Sequence, residues 1–114
     1  MEDEKRETER LPILGALHGE IVVFQPMVIQ EISLGGVTIE TAFPLHLNSL
    51  HELRLSLGTQ SVVVKGRVVH SRISDVDQDV VRYTNGLEFV EISERVSAVI
   101  ADFLNAVRAH RRGA

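Results

Sequence analysis

The hydrophobic period of this chain changes once, from 2 to 3.6, near residue 90. That switch constrains the fold more than any other feature, because a period of 2 belongs to half-buried strands and 3.6 to a helix with one apolar stripe. Before the switch, Leu53, Leu55 and Leu57 alternate with Glu52, Arg54 and Ser56, and Val62, Val64 and Val68 face away from Lys65 and Arg67. After it, Val96, Val99, Ile100, Phe103, Leu104 and Val107 fall on one helical stripe. Ser93 is placed as N-cap with Glu94 in the first turn, and Arg108, His110, Arg111 and Arg112 sit at the opposite end, where positive charge suits the helix dipole.

The strand region divides at its turn residues. Glu20 to Phe24 reads as a first strand, interrupted by Gln25-Pro26, since proline cannot donate to a ladder and belongs at an edge, bulge or strand start. Met27–Ser33 and Val37–Thr41 read as a hairpin around Gly35-Gly36, a pair for which positive φ is cheap. Ala42 to Asn48 is a loop. Leu50–Leu57, Ser61 to about Ser74, and Arg82–Phe89 complete six strands, with Gly58-Thr59 turning the chain between two of them and 75–79 forming a polar tip. Six antiparallel strands followed by one helix predict an all-β fold: a small barrel with a C-terminal helix capping an open side.

The 114 residues suffice for one domain, placed at 11–110. Residues 1–10 hold five acidic and three basic side chains and no apolar residue after Met1, which predicts a flexible N-terminal arm. Several function classes are excluded. A net charge of −4, one Tyr, four Phe and no Trp argue against a DNA or RNA surface. Without cysteine there is no thiol chemistry, and the five histidines show no metal-ligand spacing. Asp75, Asp77 and Asp79 imitate the start of a calcium loop, but Val80 and Gly86 occupy the positions that need Gly and Glu. No apolar run is long enough for membrane insertion, no signal peptide is evident, and no nucleophile–base pair stands out. The expectation is a cytoplasmic protein that is not an enzyme and carries neither metal nor cofactor.

Two short patterns carry the chemistry. Arg6 and Arg10 stand four apart in the arm, and 10 of the 12 basic residues are Arg, the side chain suited to bidentate contact and ring stacking. Glu31, Ser33, Gly35 and Gly36 place a carboxylate, a hydroxyl and two glycines at a strand end. Together they resemble the PilZ domain family, whose signature is RxxxR in an N-terminal arm followed by [D/N]xSxxG. Lys65-Gly66-Arg67-Val68-Val69 and Asn85-Gly86-Leu87-Glu88-Phe89 resemble two further strand motifs of that family, so the likeness extends over residues 5–105. It implies a six-stranded antiparallel PilZ-like β-barrel that binds cyclic di-GMP, with Arg6, Arg10, Glu31, Ser33, Gly35 and Gly36 as ligand-binding residues.

The residue chemistry is compatible with that ligand. Guanine O6 and N7 match an Arg fork, a guanidinium can lie on a purine face, Ser33 can donate to an oxygen, and Gly36 admits a close backbone approach. The implied function is a receptor or adaptor whose arm changes on binding and which signals in trans to an unidentified protein partner. The chain departs from the pattern at Glu31, where the family has Asp or Asn, at His70, where many members have Trp, and at Asn48, near a usual loop glycine. Glu31 and the acidic arm leave open a second reading, a degenerate PilZ-like interaction module that does not bind the nucleotide and works in motility or pilus assemblies.

Overall fold

The computed structural model describes residues 9–21 and 25–113. Among these residues seven strands precede one helix: β1 (Leu11–Pro12), β2 (His18–Ile21), β3 (Gln25–Ile32), β4 (Gly36–Thr41), β5 (Leu50–Leu57), β6 (Gln60–Asp77), β7 (Val80–Val90) and α1 (Glu94–Gly113). All pairings are antiparallel. The order β3-β2-β5-β6-β7-β4 closes on itself through β3–β4, giving the expected six-stranded barrel, and β1 adds a short seventh strand on β3. Closure leaves no free edge around the ring, which is how a small all-β protein avoids unpaired backbone.

Alternation sets the inside. Met27, Ile29 and Ile32 of β3, Val37 and Ile39 of β4, Leu53 and Leu55 of β5, and Val62, Val64 and Val68 of β6 are all buried. The helix contributes Val96, Ile100 and Leu104 to the same core. Ser93 caps it as predicted, its Oγ accepting the Val96 N–H at 3.2 Å. Asn85, fully buried, donates to Thr41 Oγ1 at 2.9 Å and accepts from Ser71 Oγ at 2.6 Å, tying β4, β7 and β6 together in one register. Asn48 adopts the left-handed backbone (φ 68°) that its loop position requires.

The structure corrects three expectations. The first barrel strand starts at His18 rather than Glu20, and its continuation at 22–24 lies outside the described residues. The polar tip at 75–79 shrinks to a turn at 78–79, because the ladder runs on through Asp75↔Arg82, Val76↔Val81 and Asp77↔Val80. Aspartate is poor in strands, but here the alternation of Asp75-Val76-Asp77 persists and the backbone pairing decides. Bulges between Val68 and His70 and between Ile73 and Asp75 adjust this long strand. Finally, neither Gly35 nor Gly36 has positive φ; Gly15 (95°) and Gly58 (65°) do. At Gly36 the demand is for space instead, as the site shows.

Among the described residues no helix is long and apolar enough to cross a membrane, and no group of three or more metal-ligating side chains occurs. Because Ile100 is fully buried where the helix meets the barrel, Ile100→Ala should lower stability by about 2–5 kcal/mol in urea denaturation. A loss below about 0.5 kcal/mol would show that the helix does not complete the core.

Candidate functional site

The outer surface of β3, β4, β7 and β6 gathers most of the residues singled out from sequence. At the end of β3 the chain turns through Ser33-Leu34-Gly35. Ser33 Oγ accepts the N–H groups of Gly35 and Gly36, both at 3.1 Å, and Ser33 N–H donates to Gly36 O at 2.9 Å. Ser33 is only 1% exposed, so its hydroxyl shapes the bend from beneath. Gly35 is exposed, and its carbonyl accepts the Phe89 N–H at 2.9 Å, which pins the bend to β7.

Gly36 opens β4 opposite Glu88 of β7. A Cβ there would collide with Leu87 O and lie 2.7 Å from Arg10 Nη2. The glycine therefore admits both the neighbouring strand and a guanidinium. Arg10 uses that room: Nη1 donates to Thr38 Oγ1 at 2.8 Å and reaches Val37 O at 3.5 Å, while Nη2 donates to Leu87 O at 3.3 Å. The Thr38 hydroxyl in turn donates to Glu31 Oε1 at 3.3 Å. Arg10 and Glu31 are thus joined through one hydroxyl, and the three acceptors of the guanidinium among the described residues are neutral oxygens.

Register extends the face sideways. Glu31 pairs with Thr38, Thr38 with Gly86, and Gly86 with His70, so these four form one row across four strands. A Cβ at Gly86 would collide with the His70 ring, which therefore lies directly against the glycine backbone. In the next row Arg67 is ion-paired with Glu88 beside Gly36. Two glycines at neighbouring rows leave a low floor flanked by a cation, a carboxylate and an imidazole. The histidine whose titration the fold shifts, His51, lies elsewhere on β5: burial first, then the nearby His46, pushes its pKa down.

The structure thus brings Arg10, Glu31, Gly35 and Gly36 to one face, with Ser33 under it; Arg6 lies outside the described residues. Sequence reading missed Thr38, the Leu87 carbonyl, Gly86 and His70 as neighbours of Arg10 and Glu31. The alternation Val37-Thr38-Ile39-Glu40 already put Thr38 outside, but only the strand register reveals which residues stand beside it.

A family model for the PilZ domain matches residues 4–106. The chain belongs to the PilZ domain family. PilZ domains are non-enzymatic, and the barrel is shared with solved relatives. The MrkH–c-di-GMP complex of K. pneumonia has TM-score 0.72 at 16% identity over 93% of this chain and 54% of that one. The c-di-GMP-bound PilZ domain of YcgR from Escherichia coli has TM-score 0.67 at 14% identity over 93% and 96%. Apo MrkH gives 0.71 at 19% identity, and this PilZ chain spans 52% of its length. No curated protein sequence matches the chain.

The close approach at Gly36 gives a direct check. Gly36→Ala should cost about 1–3 kcal/mol through overpacking against Leu87 O, and should speed amide hydrogen exchange along the β4–β7 ladder. Unchanged stability and exchange would show that β4 and β7 approach less closely there.

Proposed function

We propose that this PilZ domain is a cyclic di-GMP receptor that acts in the cytoplasm and signals in trans to a protein partner through its N-terminal arm. The observation that carries the reading is the position of Arg10, whose guanidinium lies on a glycine-floored face and, among the described residues, donates to neutral acceptors. A phosphate is a stronger acceptor than a threonine hydroxyl or a carbonyl, because it brings a full negative charge and can take both arms of the guanidinium fork. Moving the guanidinium from Thr38 to a ligand phosphate is then favourable, and it pulls on Leu11–Pro12, the two-residue strand next to it.

In this reading Arg10 and Arg6 close over the nucleotide. Glu31 accepts from guanine N–H groups, and Gly35 and Gly36 let the ligand approach the backbone. Ser33 holds the bend, with any contact of its own to the ligand requiring the hydroxyl to leave the glycine N–H groups. Membership in the family supports the assignment, as do the relatives described in complex with c-di-GMP.

Glu31 also favours the second reading, an interaction module without nucleotide. Its side chain is longer than the family's Asp or Asn by one C–C bond, about 1.5 Å, and is already engaged by Thr38. Titration calorimetry with cyclic di-GMP separates the two. The receptor reading expects saturable heat and, at 100 times the dissociation constant, about 2.7 kcal/mol of added stability. No heat and no thermal shift at high micromolar nucleotide contradicts it, and gain of binding in Glu31→Asp alone would establish the second reading. For a receptor, Arg10→Ala should weaken affinity by about tenfold or more, as loss of a charge-assisted contact requires, while unliganded stability falls by about 1 kcal/mol. Equal affinity in that variant would place the ligand away from this face.

A further inference from the structure

Leu14 is 82% exposed, more than any other large apolar side chain described. Its exposure has a local cause. Ile13 N–H bonds Gln30 O at 2.9 Å and Ile29 N–H bonds Leu17 O at 2.8 Å, so the chain leaves β3 after Ile13 and rejoins it at Leu17. Gly15, at φ 95°, turns this excursion outward. The excursion forms one wall of a cavity of about 320 Å³, with Ile13, Leu14 and Leu17 facing Phe103 and Val107 of α1. One helical turn further on, His110 and Arg111 close the end, and none of the described residues that line it is acidic. Cations in a last helical turn compensate the helix dipole wherever they point. Dipole compensation does not account for a leucine held out beside an apolar helix face, nor for a groove whose described lining holds no acid in a chain of net charge −4.

We propose that this groove docks an acidic amphipathic segment of a partner protein. Its apolar residues would fill the space between Leu14 and Val107, and its carboxylates would meet His110 and Arg111. Charge complementarity selects this occupant. A second copy docked groove to groove would present the same described lining, which offers no carboxylate to His110 and Arg111. The groove is also placed for regulation, because its wall begins at Pro12, two residues beyond Arg10. That link rests on the nucleotide reading above; the docking itself does not.

Two short synthetic peptides test the proposal on the full chain. Both carry leucines at helical spacing, one with glutamates and the other with lysines at the polar positions, and binding is followed by fluorescence anisotropy and amide NMR shifts without nucleotide. The glutamate peptide should bind about tenfold tighter than its lysine twin or better, shifting amides of residues 13–17 and 103–111. Arg111→Glu should reverse the preference, and Leu14→Ser, at an exposed site, should weaken binding without altering the fold. Equal or absent binding of the two peptides, or shifts confined elsewhere, overturns the proposal. An affinity that rises about tenfold when residues 1–5 are removed would assign the groove to the chain's own acidic N-terminus instead. A dimer in sedimentation that Arg111→Glu abolishes would assign it to a second copy. Once calorimetry has shown nucleotide saturation, unchanged peptide affinity overturns the link to Arg10 and leaves the docking result standing.

Discussion

The approach of β4 to β7 at Gly36 is the constraint from which the rest of the site follows. With no side chain at that position, the Leu87 carbonyl and the Arg10 guanidinium occupy the space a Cβ would need. The same strand pairing closes the barrel and continues in register to Thr38↔Gly86, where a second glycine lowers the floor under His70. Inside the barrel, Asn85 fixes that register from below through Thr41 and Ser71. A buried amide satisfied on both sides costs little, whereas a shift of one residue would leave it unpaired and turn the apolar set outward. The outer face is therefore as well determined as the core that supports it.

Electrostatics distinguish this face from an ordinary barrel surface. Arg67 and Glu88, Arg82 and Glu40, and Arg54 and Glu20 are paired directly on the outside of the sheet. Exposed pairs of this kind contribute little, about 0–1 kcal/mol. Among the described residues Arg10 differs in having a hydroxyl and two carbonyls as acceptors, with Glu31 reached through Thr38. Such a cation is ordered in advance yet retains most of its capacity to attract an anion. Pre-ordering reduces the entropy cost that a wholly mobile arm would incur, about 1–2 kcal/mol for each residue fixed.

Much of the fold was legible in the chain because its apolar residues keep strict periods. The strands around Leu53–Leu57 and Val62–Val68, the helix with its Ser93 cap, and the six-stranded count all follow from spacing. Places where composition and pairing conflict were not legible: Asp75 to Asp79 reads as a tip although most of it is laddered. The two-residue strand at Leu11–Pro12 is too short to have a period at all. For the site, Arg10, Glu31 and Gly36 were recognisable as a pattern, but the reason for Gly36 was not, since the clash it avoids involves Leu87, far away in sequence. Thr38 and His70 join the face only through strand register, and alternation does not encode which strands are neighbours.

In the proposed receptor Arg10 is a transferable guanidinium, held on Thr38 until an anionic nucleotide takes it. A crystal structure of this chain grown with saturating cyclic di-GMP addresses it most directly. The account expects the nucleotide on the Gly36–Gly86 floor, with Arg10 bonded to a phosphate or a guanine edge and its 2.8 Å contact to Thr38 broken. Nucleotide bound elsewhere, or Arg10 still seated on Thr38 beside an occupied site, would contradict it.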